Sequence, residues 1–231
     1  MSTCFVLACG PSIKEQNLKK IGSNPCVTLS NFFVHPDFEL LDVKYHIFGN
    51  LHSPITYDMG VAWFRECEEK LKPSTKVMVY IDQKQLVESN NLFTKNEIIY
   101  WSEHGVFPES LPNQVDTYVS VSQIALQMGY LVAKNENLNE VIIMGIDHSW
   151  VNHVNQSKHF YEESESILVR MGYNEWFNTH NQSHGEEVEK QNLIRLNNVY
   201  SYYEQKFKEH EIFIYNGTPN SLVSSLEFKF I

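Results

Sequence analysis

The chain is short of positive charge, of cysteine and of long apolar runs, and each shortage narrows what it can be. Its 18 Lys and Arg face 28 Asp and Glu, a formal net charge of −10. That balance argues against broad binding to nucleic acid or to an anionic membrane face, although a local basic site can exist within an acidic whole. The four cysteines, Cys4, Cys9, Cys26 and Cys67, lack C-x-x-C spacing, and three of them lie in or beside apolar runs. Buried reduced thiols are expected rather than disulfides. No apolar run approaches the roughly 20 residues of a membrane-spanning helix. The opening residues carry no basic segment of the kind that starts a secretory leader. A cytoplasmic protein is expected, with at most peripheral membrane contact.

Also missing are the two best-known phosphate-binding signatures. "FVLACGPSIKE" (5–15) ends an apolar run in Gly10-Pro11-Ser12, but no Gly-Lys-Ser/Thr follows and there is no G-x-G-x-x-G. The question is what such a turn holds. Gly10 permits a tight turn, Pro11 suits the first position of a helix, and Ser12 adds a hydroxyl beside unpaired amides. An anion, above all a phosphate, fits that arrangement. A plain strand-to-helix corner fits it equally.

What is present is a regular alternation. Of the 231 residues, 42% are hydrophobic and 13% aromatic, ordinary values for a globular chain. Short apolar runs at 3–9, 26–31, 45–50, 76–81, 97–101, 139–147 and 210–218 read as strands, and 226–231 alternates like an edge strand. Helical periodicity occupies 57–72, 117–134 and 186–209. Strands alternating with helices predict an α/β, Rossmann-like, doubly wound and mostly parallel sheet with helices on both faces, one domain spanning 1–231. The stretch 148–185 has little periodicity and holds His148, His153, His159, His180 and His184. It follows the clearest strand and reads as a lid at the sheet's carboxyl edge, where open α/β sheets bind ligands.

Several polar residues fall at expected strand ends. Asn31 and Asn50 each close a strand, and their amides suit ribose hydroxyls or a base edge, though asparagine also simply terminates strands. Gly145 ends the strand of "GIDHSW" (145–150); Asp147 could orient a hydroxyl or set a histidine tautomer, or cap a turn. In "YNGTPNSLV" (215–223), Thr218, Asn220 and Ser221 concentrate hydroxyls and amides that suit a phosphate or sugar, beside turn-forming Asn-Gly and Thr-Pro. His180 and His184 are spaced H-x₃-H but lack the glutamate of H-E-x-x-H, so no metal is expected. A lid histidine as general base is better motivated, because its unperturbed pKa lies near neutrality.

Four segments in order, "ACGPSIKE", "LSNFF", "SVSQIALQMGY…NEVIIMGID" and "TPNSLV", resemble the bacterial lipooligosaccharide sialyltransferases of glycosyltransferase family 42. They resemble equally the motility-accessory-factor domain, also described as hydroxymethylpterin-diphosphokinase-like, with its "IIMGIDHS" strand, a following "HF-Y" and a final "YN-TP-S". The resemblance spans roughly residues 4–50 and 117–223. It implies a CMP-activated nine-carbon acidic sugar as donor, transferred with inversion and without a metal or other cofactor to a glycan or lipid-linked glycan, in surface-glycan or flagellin glycosylation. By position, Gly10, Pro11 and Ser12 would line the donor phosphate, and Asn31 and Asn50 the nucleotide. Ser120 or Ser122 would touch the donor, with Gly145, Asp147, His148, Thr218, Asn220 and Ser221 around it. The sialyltransferases steady the leaving phosphate with two tyrosines after the "GID" strand. Here His148 and Trp150 stand near the first, and Tyr161 is nearest the second. His184 would be the base, with His159 its runner-up. An arginine expected near the start of the "S-V" helix is not evident, and Asp116 stands close to that place. The other expectations kept open are an ATP-dependent diphosphokinase of a pterin alcohol and a non-catalytic nucleotide-binding subunit of polysaccharide assembly. No nucleic-acid partner is expected; a homo-oligomer is allowed.

Overall fold

The computed structural model describes residues 3–230 except 106, 109, 111, 117–119, 149–158 and 174–184, with the side chains of 163 and 185–189 also left aside. Eight strands form one sheet: β1 (Thr3–Leu7), β2 (Pro25–Leu29), β3 (Asp42–Ile47), β4 (Lys76–Tyr80), β5 (Ile98–Glu103), β6 (Gln114–Val115), β7 (Glu140–Met144) and β8 (Phe213–Asn216). Their order is β6-β5-β4-β3-β2-β1-β7-β8, and every strand pair is parallel. The chain builds outward from β1 to β6, crosses back, and continues on the other side with β7 and β8. This is the Rossmann-like, doubly wound α/β fold that the alternation predicts, with its order reversing between β1 and β7.

Among the described residues, five α-helices lie around the sheet: α1 (Tyr57–Lys70), α2 (Lys84–Ser89), α3 (Val121–Asn135), α4 (Ile167–Arg170) and α5 (Gly185–Lys208). The strand pleat sorts the faces, because alternate side chains point to opposite sides. Val6, paired with Val27, turns toward α3, where a Cβ on Gly129 would meet the Val6 and Val141 side chains. Leu7 and its partner Thr28 turn the other way. On that face lie His46 and Phe48, the latter packed edge-on against Trp63 and tilted against Phe64 of α1. α5 covers α3 through Tyr200, Tyr203 and Phe207, all fully buried. Burying each such aromatic is worth about 1.5–3 kcal/mol.

α3 begins at a capping box: the Ser120 side chain and the Gln123 side chain satisfy each other's backbone amides. α1 begins at Thr56, whose hydroxyl accepts from the Met59 amide, with Asp58 in the first turn. The first crossovers differ from expectation. Instead of an α-helix after Pro11, the chain makes 3-10 turns at Pro11–Glu15 and Leu18–Ile21. β2 stops at Leu29, so Ser30 and Asn31 belong to the 3-10 turn Ser30–Val34. The expected edge strand at 226–231 is a single bridge between Asn216 and Phe228. Phe228 and Phe230 are 44% and 84% exposed; their alternation meets no layer to pack against, so pairing does not propagate. β6, two residues long, carried no apolar run to announce it. The four cysteines are buried thiols, and among the described residues no helix is long and apolar enough to cross a membrane.

Candidate functional site

The reversal between β1 and β7 opens at the carboxyl edge onto the turn at Gly10. Strand pairing continues past both strands: Ala8 N–H donates to Met144 O (2.8 Å) and Gly10 N–H to Gly145 O (2.8 Å). Gly145 has φ +70°, and a Cβ there would lie 2.3 Å from the Ala8 carbonyl oxygen, so glycine is required on both counts. Gly10 is different. Its φ of −65° and ψ of 156° suit any residue, but a Cβ would fall 1.8 Å from Asp147 Oδ2. The glycine makes room for a carboxylate.

That carboxylate answers what the turn holds. Ser12 Oγ donates to Asp147 Oδ2 at 2.9 Å, and Ser12 N–H donates to Asp147 Oδ1 at 3.3 Å. The helix-start amide and hydroxyl that suit an external anion thus receive one supplied by the chain itself. Burial pushes the Asp147 carboxyl pKa above its ordinary value, and the two Ser12 bonds oppose that shift. Pro11 sits at the first position of the 3-10 turn, as its fixed φ favours.

The β8 turn locks the same corner. Thr218 Oγ1 accepts from Ile146 N–H, Ser221 Oγ donates to Ile146 O (2.6 Å), and Leu222 N–H donates to Asp147 O. Asn216 Oδ1 accepts from Thr218 N–H, and Asn220 takes the left-handed conformation with φ 57°. The hydroxyls expected to face a sugar here bind the main chain of Ile146, directly before Asp147.

Asn31 lies buried at the β2 exit. Its amide nitrogen donates to Tyr161 Oη (3.0 Å) and Ser166 Oγ (3.2 Å), while its oxygen accepts from Trp63 Nε1. Phe160 N–H donates to Cys9 O (3.0 Å), and His159 stacks on Tyr161 with centroids 4.8 Å apart. The described part of the expected lid, 159–173, is therefore folded onto the ends of β1 and β2. α4 lies against α1, with Arg170 bridging Glu66 at 2.8 Å. Asn50 is exposed beyond β3, its amide 2.6 Å from that of Gln83.

The N-terminus of α3 completes the edge, since Gly49 approaches Val121. From Ser120 a file of polar groups runs inward: Ser120 Oγ to Ser122 Oγ (2.9 Å), Ser122 Oγ to Tyr200 Oη (3.2 Å), and Tyr200 Oη to His148 Nε2 (2.9 Å). His148 follows Asp147 with φ 48°, an uncommon conformation for a side chain of its size. Burial lowers its pKa to about 4, so the ring is neutral at working pH.

The structure thus gathers Gly10, Pro11, Ser12, Gly145, Asp147, Thr218 and Ser221 in one corner, Asn31 with Tyr161 in a second, and Ser120, Ser122 and His148 in a third. His184 and Trp150 lie outside the described residues. Sequence reasoning missed Trp63 and Tyr200. The signal for Tyr200 was its aromatic stripe with Tyr203 and Phe207, hidden in a helix whose periodicity reads as polar. Among the described residues, no group of three or more His, Cys, Asp or Glu is placed to hold a metal ion. No family model, no curated protein and no solved structure matches this chain.

Proposed function

We propose that this chain is an inverting glycosyltransferase that uses a CMP-activated, sialic-acid-like sugar as donor. The observation that carries the reading is a convergence. The four segments that resemble the sialyltransferases are distant in sequence, yet they join along one carboxyl edge beside the strand-order reversal. The links run from Cys9 to Leu29, Ser12 to Asp147, Ile146 to Thr218, and Ser122 by way of Tyr200 to His148. That is where open α/β sheets take nucleotides. Ser12 already holds Asp147, so we assign the donor phosphate to the α3 side of the corner, near Ser120 and His148, rather than to the Gly10 turn.

In this reaction the acceptor hydroxyl oxygen forms a bond to the anomeric carbon as the bond from that carbon to the CMP phosphate oxygen breaks. The bonding pair leaves on the phosphate, and the acceptor's proton passes to a histidine, His184 or His159. Helix-start amides and fixed donors steady the departing charge.

A thermal-shift panel of CMP, UDP, GDP, CDP and ATP, each with and without Mg²⁺, tests the reading. A ligand that binds only the folded chain raises its melting temperature. CMP is expected to do so without Mg²⁺. A shift confined to ATP with Mg²⁺ overturns the proposal in favour of a diphosphokinase, and CMP binding with no transfer to any acceptor favours a non-catalytic subunit. Within the transferase reading, alanine at the base, His184 or His159, lowers turnover by about 10²–10⁴-fold while CMP affinity stays. Unchanged turnover in both variants removes them from the role.

A further inference from the structure

The file Ser120–Ser122–Tyr200–His148 has a direction. Tyr200 is fully buried, Ser122 is 5% exposed, and the phenol oxygen lies between one hydroxyl and one imidazole nitrogen. A phenol O–H is a stronger donor than an imidazole N–H, and an imidazole nitrogen is a stronger acceptor than a phenol oxygen. The best match therefore has Tyr200 donating to Nε2. The phenol oxygen must then accept, and Ser122 O–H is the donor beside it. Ser122 Oγ in turn accepts from Ser120 O–H, while Ser120 Oγ accepts from Ser122 N–H at 3.4 Å as a helix cap does. Each hydroxyl donates once and accepts once, and no donor is wasted.

With Nε2 accepting, the proton of the neutral ring must sit on Nδ1. The ring is fixed as well as tautomerically set. Its backbone is held in the left-handed region, and Leu222 N–H on the neighbouring Asp147 carbonyl anchors the preceding peptide. Strain of this kind persists only where surrounding bonds over-determine it, and it clusters at ligand sites.

We propose that Tyr200 is a positioning residue. Through a one-way chain of hydroxyls starting at the α3 cap, it holds His148 as the Nδ1–H tautomer, so that the ring offers one fixed donor to an anionic phosphate oxygen at the sheet edge. The tautomer stands on the hydrogen-bond geometry and donor strengths around a neutral ring; the phosphate rests on the function proposed above. A pre-set donor of this type costs no reorientation when charge develops.

The experiment is ¹⁵N-histidine NMR of the full chain, with the two ring nitrogens of His148 assigned by loss of signal in His148→Gln. The wild type is expected to show a protonated Nδ1 and a bare, hydrogen-bonded Nε2 at pH 7. Tyr200→Phe, which keeps the ring and deletes the hydroxyl, should abolish that preference, and Ser122→Ala should weaken it. A wild-type ring protonated at Nε2, or an unchanged tautomer in Tyr200→Phe, overturns the positioning role without any ligand being involved. Titration with CMP and separately with inorganic phosphate then tests the donor. Both should shift Nδ1, and Tyr200→Phe should weaken CMP binding about tenfold, the usual consequence of losing one hydrogen bond's worth of orientation. Equal CMP affinity in the two proteins overturns the donor assignment while leaving the tautomer result standing. If Tyr200→Phe fails to fold, Ser122→Ala carries both readings.

Discussion

At the scale of single residues, the corner at Gly10 is decided by contacts that span 135 positions of sequence. Asp147 supplies the anion that the helix-start geometry favours, and Gly10 is the vacancy its carboxylate fills. Two substitutions separate these roles. Gly10→Ala should destabilise the fold by about 1–3 kcal/mol or more, because the added methyl meets the Gly145 carbonyl as well as the carboxylate and backbone cannot swing aside. Asp147→Ala should cost about 1.5–3 kcal/mol through loss of two hydrogen bonds to a charged group. Urea unfolding at fixed pH measures both; a neutral Gly10→Ala would mean that the turn is looser than its contacts require.

At the scale of elements, the sheet edge is organised by how each helix or turn begins. α3 is the best-formed case, with a reciprocal cap at Ser120 and Gln123 and a close seat on the sheet at Gly129. Ser120→Ala should lower stability by about 1 kcal/mol, the common value for an N-cap serine. Gly129→Ala should also destabilise, despite alanine's better helix propensity, because its methyl would lie 2.7 Å from Val6 Cγ2 and 3.3 Å from Val141 Cγ1. If Gly129→Ala instead raises the melting temperature, the helix has room to lift from the strands. The long strands, α1, α3 and α5 were legible because each repeats its pattern over several turns or residues. The 3-10 turns after β1 and β2 were not, because short turns are chosen by where the neighbouring strand ends.

At the scale of the whole molecule, buried histidines make stability depend on pH. His46 is fully buried, bonded to Thr28 Oγ1 (2.8 Å) and the Ser30 carbonyl (3.0 Å) and ringed by Phe33, Phe38 and Phe48. Burial pushes its pKa down to about 3, and that of His148 to about 4. Both lie below the unfolded value of about 6.5, so below neutrality the unfolded chain binds more protons than the folded one. The stability is complete above about pH 6.5 and is lost as pH falls toward the folded values. Between pH 7 and 5, His46 alone should remove about 2 kcal/mol. Urea unfolding at pH 7 and pH 5 measures the loss, and a flat profile would show that His46 is solvated or protonated in the folded chain. Asp147, with its raised pKa, has the opposite sign: its contribution favours the folded chain as pH falls toward the ordinary carboxylate range.

The sequence by itself determined the layered α/β architecture, since periodicities of two and of about 3.6 are local properties that one packed sheet can satisfy together. It also marked the residues that would reach one edge, because parallel strands all end on the same side. Tertiary structure alone decided what those residues bond to. Asn31 became an anchor for Trp63, Tyr161 and Ser166, Thr218 and Ser221 became braces for Ile146, and Tyr200 entered the edge from a helix whose pattern reads as polar. A buried polar atom must find a partner, and the nearest one is set by three-dimensional distance rather than by position along the chain. The Gly-Pro-Ser turn shows the division: its local geometry calls for an anion, and only the fold reveals that the anion is Asp147.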